Sequence, residues 1–295
     1  MASIPTLKLN DGKEVPMLAY GFGTANFNGE DEAMVKATQL ATQNGIYHLD
    51  CAEAYMNESG VGAGIKASGV ERTKLYVTTK VVGTTDQNVT EALDISLKKL
   101  GLEYIDLYLV HVPFAAGSAE GLQKIWRQME TVKEAGKARS IGVSNFEVED
   151  LEIILEIAKT KPAINQIEFH PYTQKRDVVN FCRQHNIAVA SFSALGALKQ
   201  LAYSKVDSPY TELAEKYGVS PSLIGLRWCI DQDVAVVTTS SDDKRLKECA
   251  TKLWDFNLHK EDVERLNALQ SPEPWKSFAL EYMTDTYGNY KLGIA

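Results

Sequence analysis

LYVTTKVVGTTDQNVTEALDISLKKLGLEYIDLYLVHV, residues 75–112, is the stretch from which the fold is read. Its two ends, LYVTTKV (75–81) and IDLYLVHV (105–112), are rich in β-branched, leucine and aromatic residues and read as strands. Between them, Asn88 to Leu100 repeats apolar residues at helical spacing beside a polar face. Strands that are apolar along their length are buried on both faces, and a helix joining two of them makes them parallel.

The same unit recurs in both directions. LAYGFGT (18–24), YHLDCA (47–52), RSIGVSNF (139–146), AINQIEFH (163–170), AVASFSAL (188–195) and VAVVTTS (234–240) bring the candidate strands to eight. Amphipathic stretches at Gly121 to Ala135, Val148 to Thr160 and Arg176 to His185 separate some of them. Eight such α/β units close into a (β/α)8 barrel, the TIM-barrel architecture. The additions are an N-terminal hairpin, TLKLN and KEVPML around Asp11-Gly12, a long segment after Phe192, an extra helix near Pro221 to Asp231, and a C-terminal tail beyond Ser271 placed at the barrel mouth. No Pro/Gly/Ser-rich linker interrupts the rhythm, so residues 1–295 read as a single barrel domain. The rival, an open doubly wound sheet, lacks its G-x-G-x-x-G after the first strand; only GFGT stands there.

Composition narrows the function. The chain is 44% hydrophobic and 24% charged, with a formal net charge of -8 and basic residues scattered along it. That balance argues against a nucleic-acid or anionic-membrane surface and for a small-molecule partner. Cys51, Cys182, Cys229 and Cys249 lie far apart without a C-x-x-C pair, as in a protein of a reducing compartment, and no metal-ligand set is read. MASIPTLKLNDGKEVP has no apolar signal core and no apolar run nears the ~20 residues of a membrane span, so a cytoplasmic protein is expected.

In a parallel barrel, polar residues at the C-terminal ends of different strands converge on one mouth. Those ends carry Asp50 and then Tyr55, Lys80, His111, Ser144 and Asn145, and Gln166 and Glu168. In their context, LDCAEAY, TTKV, IDLYLVHVP, IGVSNF, INQIEFHP and VTTSS, the chain resembles the aldo-keto reductase family over essentially its full length. VTTSS and HVPF look most like fungal reductases of activated ketones, the α-keto amide and conjugated polyketone (ketopantoyl lactone) reductases.

The resemblance implies a carbonyl reductase using NADPH (NADP+ when oxidised), with Tyr55, Asp50, Lys80 and His111 as catalytic tetrad. Reduction of a carbonyl needs a hydride at carbon and a proton at oxygen, and no side chain donates hydride, which a nicotinamide must supply. Tyr55 would give the proton. A lysine ammonium about 4 Å away at an effective dielectric of ~20 favours a phenolate by roughly 4 kcal/mol, up to ~3 pKa units, which predicts a phenol near neutrality beside Lys80. Asp50 would hold that lysine, and a neutral His111 would orient the substrate oxygen. His170, in EFHP, is read as structural.

Further implied cofactor contacts are Thr24, the carboxamide-binding set Ser144, Asn145 and Gln166, a stacking ring at Phe192, and the pyrophosphate stretch of Ser193, Leu195 and Ala197. Thr238, Thr239, Ser240 and Ser241 follow, with Arg245 toward the 2′-phosphate and Glu248 toward the adenine. Thr239 stands where the family usually has a lysine. Ala25, Val82 and Val112 stand at pocket positions that are tryptophans in aldose reductases, implying a wide mouth, with tail aromatics such as Trp275 available to line it. A regulatory nucleotide-binding protein of the potassium-channel β-subunit type, with incidental turnover, is an alternative, as is a barrel aldolase or isomerase using Lys80 as a Schiff-base amine. A monomer or weak homodimer is expected.

Overall fold

The computed structural model describes residues 4–23, 31–196, 198 and 209–270. Two short strands, β1 (Thr6–Lys8) and β2 (Glu14–Pro16), pair antiparallel with Leu7 opposite Val15. Gly12, at φ +81°, makes their turn in a conformation that costs a side-chain-bearing residue energy.

Eight parallel strands follow: β3 (Leu18–Gly21), β4 (His48–Asp50), β5 (Tyr76–Val81), β6 (Ile105–Val110), β7 (Ala138–Ser144), β8 (Ile164–Glu168), β9 (Ala188–Phe192) and β10 (Val234–Thr238). They close in the order β10-β3-β4-β5-β6-β7-β8-β9, with Val236 beside Leu18 at the seam. Each coincides with a run expected from the sequence, β7 beginning one residue early at Ala138. All six residues of β6 are buried, as a strand covered on both faces requires.

Ten α-helices stand among the described residues: α1 (Asp31–Gln43), α2 (Glu58–Ser68), α3 (Val89–Leu100), α4 (Ala119–Glu134), α5 (Val148–Leu155), α6 (Arg176–Gln184), α7 (Pro209–Tyr217), α8 (Pro221–Ile230), α9 (Asp243–Ala250) and α10 (Lys260–Asn267). In α3, Asn88 accepts hydrogen bonds from the amides of Thr90 and Glu91, and Val89, Leu93, Leu97 and Leu100 turn inward. The helix expected over Val148 to Thr160 stops at Leu155. Beyond it the Thr160 amide donates to Glu130 at 2.7 Å and its carbonyl accepts from the Trp126 indole at 3.2 Å, so α4 takes the backbone groups a longer helix would use. None of the described helices is long and apolar enough to cross a membrane.

The hairpin stoppers the N-terminal end of the barrel. Leu9 and Val15, 3% and 0% exposed, pack with Leu107, Leu109, Ala163, Ile164, Ala190 and Ala235. Asp11 fastens this plug to the wall, accepting from Lys133 at 2.6 Å and Ser140 at 2.8 Å. Beside it, the Arg72 and Arg139 guanidinium groups each lie 3.9 Å from the centre of the Tyr104 ring and share the Asp106 carboxylate at 2.6 and 3.3 Å. The four cysteines are free thiols and all are buried.

Candidate active site

The opposite end gathers the polar strand termini. Asp50 ends β4, Lys80 is the last residue but one of β5, and His111 follows β6 directly. Tyr55 sits on a single 3-10 turn, Glu53–Tyr55, between β4 and α2. The parallel register levels these positions: the Cys51 amide donates to the Thr78 carbonyl and the His111 amide to the Val81 carbonyl, both at 2.8 Å.

The Lys80 ammonium donates to Asp50 Oδ1 at 2.5 Å and to the Cys51 carbonyl at 2.8 Å, and Gln166 donates to Asp50 Oδ2 at 2.8 Å. Both charged side chains are sealed from solvent, 0% and 3% exposed. Such a pair keeps its charges only because each satisfies the other. Lys80 Nζ is 5.2 Å from the centre of the Tyr55 ring, and the Tyr55 and His111 rings meet edge to face at 5.5 Å and 82°. A Cβ at Gly23 would fall 3.0 Å from Tyr55 Cζ and 3.2 Å from its hydroxyl, so that backbone passes close beside the phenol.

Three titrations follow. Burial alone would lower the Lys80 pKa, but Asp50, with Tyr55, outweighs it and holds the ammonium above its ordinary range. A Schiff-base lysine needs the opposite shift, which counts against the Lys80 nucleophile. Burial, with Lys80 adding to it, presses His111 down to about 3, so the imidazole is neutral. For Tyr55 the expected direction is corrected: burial raises the phenol above 10, and the pull of Lys80 offsets only part of that rise while Asp50 adds to it. Asp50 offsets part of the positive field that Lys80 exerts on the phenol.

Beside these four residues, Ser144 ends β7 and donates to the Gln166 carbonyl at 2.8 Å. Asn145, in the left-handed region at φ +63°, donates to the His111 carbonyl at 3.0 Å and to Ser144 Oγ at 3.1 Å. Phe192 ends β9 half-buried, and Ser193, at φ +52°, turns the chain out of the strand toward Leu195. Thr238, Thr239 and Ser240 are half-buried and Ser241 exposed, just before α9, whose N-cap Asp242 accepts from the amides of Lys244 and Arg245. Arg245 is 75% exposed with Asp242 at 3.8 Å, and Glu248 pairs with Lys252 at 3.0 Å. Uncharged hydrogen-bonding groups on β7 and β8, a ring on β9 and a guanidinium at the start of α9 fit, in that order, a carboxamide, a planar heterocycle and a phosphate.

Val82 is half-buried at the exit of β5. Val112, directly after His111, is 1% exposed. Thr24, Ala25, Ala197 and Trp275 lie outside the described residues, as does the tail. His170 is fully buried, its Nε2 3.3 Å from Glu168 Oε1. A groove of about 560 Å³ between α2 and α3, lined by Ile65, Lys66, Val70, Arg72, Lys99 and Leu102, is on the barrel's outer wall and contains none of these site residues. Among the described residues no cluster of His, Cys, Asp or Glu could hold a metal ion.

Sequence reading missed Glu53 and Gln87. Glu53 accepts the Val82 amide at 2.6 Å and the Gln87 side chain at 2.8 Å. The only signal was the position of Glu53 between Asp50 and Tyr55 in LDCAEAY.

A closed eight-stranded barrel with a buried Asp-Lys pair, a tyrosine and a neutral histidine at its C-terminal mouth is the framework of a barrel oxidoreductase. Residues 19–271 match the model of the Aldo/keto reductase family, and the chain belongs to that family. It is 39% identical over 265 residues, 88% of this chain and 93% of the relative, to the NAD/NADP-dependent indole-3-acetaldehyde reductase of Schizosaccharomyces pombe. To the NADPH-dependent alpha-keto amide reductase of Saccharomyces cerevisiae it is 36% identical, covering 96% of this chain and 95% of that one. The crystal structure of a Bombyx mori aldo-keto reductase in complex with NADP superposes with a TM-score of 0.85 at 33% identity, covering 98% of this chain and 99% of the other.

Proposed function

We propose that this chain, as one barrel domain, reduces an activated carbonyl (a dicarbonyl, keto ester or keto lactone, or an aldehyde) to an alcohol with NADPH, and that Tyr55 delivers the proton. The observation that carries this reading is the contrast between Tyr55 and His111 beside one buried ammonium. With its pKa near 3, His111 carries no spare proton at neutral pH and serves as a neutral donor that orients the carbonyl oxygen. Tyr55, held above 10, is fully protonated, as a donor in the reducing direction must be. As the proton leaves, the Lys80 ammonium stabilises the phenolate, and Asp50 and Gln166 keep that ammonium from following the charge.

The nicotinamide supplies the hydride when bound. Ser144, Asn145 and Gln166 would hold its carboxamide, Phe192 its ring face, and Arg245, with Ser240 and Ser241, the 2′-phosphate that distinguishes NADPH from NADH. Arg245 supports a preference for NADPH despite Thr239. An activated carbonyl is favoured by the aliphatic Val82 at the β5 exit and by the relatives: one acts on alpha-keto amides, and another, 36% identical over 270 residues, is the glyoxal reductase of Bacillus subtilis. The test is Tyr55→Phe, followed through NADPH absorbance with a vicinal dicarbonyl and with xylose. NADPH affinity should hold while kcat falls more than tenfold, and the wild type should prefer the dicarbonyl. Retention of most of kcat by Tyr55→Phe removes the proposed acid.

A further inference from the structure

We infer that Glu53 is a positioning residue for the proton donor, a clamp that fixes the Tyr55 turn against the strand bearing Lys80. The turn needs such a part. It has no side-chain cap at Ala52, and it ends on Met56 in the left-handed region, at φ 53° and ψ 29°, where a residue other than glycine is held at a cost. Side chains on both flanks tie it to the barrel. Asn57 donates to the Phe22 carbonyl at 2.9 Å, on the β3 side. Glu53 reaches the other way: one carboxylate oxygen accepts both the Val82 amide at 2.6 Å and the Gln87 amide group at 2.8 Å. Gln87 turns its own oxygen to the amides of Gly83 and Thr84, at 2.8 and 3.3 Å, so the carboxylate grips the whole exit of β5.

Lys80 and Val82 lie two residues apart on that exit, and Glu53 and Tyr55 two residues apart on the turn. The clamp therefore sets where the phenol stands relative to the ammonium and beside the Val82 wall of the mouth. A charge-assisted acceptor of two N–H groups is strong enough for this, and a displacement of about 1 Å at a reacting group can cost 10²-fold in rate. Glu53 does not itself touch the reacting atoms.

The inference rests on Tyr55 being the acid, and the experiment separates the two. Glu53→Ala, Glu53→Gln, Gln87→Ala and Tyr55→Phe are compared for kcat and, by fluorescence titration, for NADPH Kd. Glu53→Ala should lower kcat about 10- to 100-fold with Kd changed less than about twofold, and Glu53→Gln, which keeps the acceptor oxygen, should recover to within about threefold of wild type. Gln87→Ala, which removes one arm and leaves the Glu53–Val82 contact, should show the same split at about threefold, and it decides the matter if Glu53→Ala does not fold. Full kcat in Glu53→Ala or Gln87→Ala, a parallel loss of NADPH affinity, or a Glu53→Gln as damaged as Glu53→Ala overturns the clamp. An active Tyr55→Phe instead overturns the assignment of the acid, whatever Glu53 does.

Discussion

At the floor of the barrel Asp106 divides its carboxylate between Arg72 and Arg139, the two guanidinium groups enclose Tyr104, and helices end on residues that accept the left-handed region easily, such as Gly101 and Asn186. At the mouth the ammonium of Lys80 is 0% exposed, His111 Nδ1 is buried without a hydrogen-bond partner among the described residues, and left-handed positions fall on Met56, Lys175 and Ser193 as well as on Gly83, Gly117 and Asn145. The same strands supply both ends. What differs is the cargo: the floor shares one carboxylate between two partly exposed guanidinium groups, while the mouth seals an ammonium and an imidazole from water and sets bulky residues at left-handed angles. The floor is arranged for stability, and the mouth holds groups and angles that cost stability and gain chemistry.

The sharpest way to break this contrast is Lys80→Met. It leaves Asp50 buried without its cation, so stability should fall by about 3–5 kcal/mol and kcat by at least ~10²-fold, measured by denaturant unfolding and NADPH oxidation. A stable, active Lys80→Met would mean the mouth is ordinary core. Leu9→Ala tests the floor. Removing that buried side chain should cost about 2–5 kcal/mol while kcat/KM stays within about twofold; a comparable loss of turnover would show the two ends are coupled.

His111 provides a finer probe. Its pKa falls from 6.5 to about 3 on folding, so between these values the unfolded chain binds a proton that the folded chain refuses. The contribution is fully present above 6.5 and is lost as pH falls toward 3, at up to about 1.4 kcal/mol per pH unit. Urea unfolding at pH 7 and pH 4.5 should show a shallower pH dependence in His111→Asn than in wild type; equal slopes would place the imidazole in water. Met56→Gly should give the smallest effect. Met56 is 65% exposed, so little packing is lost, and release of the left-handed angle should stabilise the chain by about 1 kcal/mol. A destabilised variant would show that the thioether packs.

The barrel was legible in the sequence because its strands are buried on both faces, a property that composition alone displays in IDLYLVHV or VAVVTTS. The gathering of Asp50, Tyr55, Lys80 and His111 was legible because parallel strands bring their C-terminal ends to one mouth, while their reading as a catalytic tetrad came from the family resemblance. What escaped was set by tertiary neighbours. The end of α5 at Leu155 is decided by Glu130 and Trp126 of α4, far away in sequence. The rise in the Tyr55 pKa is decided by burial depth, and pairwise reasoning from Lys80 had no access to that. Glu53 gives no hint of its grip on Val82 until the two loops are seen together.

The burial of the cysteines has a consequence for an enzyme of this kind. Vicinal dicarbonyls are electrophiles that modify proteins, and the thiolate, not the thiol, is the nucleophile of cysteine. Burial pushes the Cys182 thiol up to about 11, Cys229 and Cys249 to about 12, and Cys51 well above its ordinary value. A reactive carbonyl of the class proposed above would thus find almost no ionised sulfur among these four cysteines to attack.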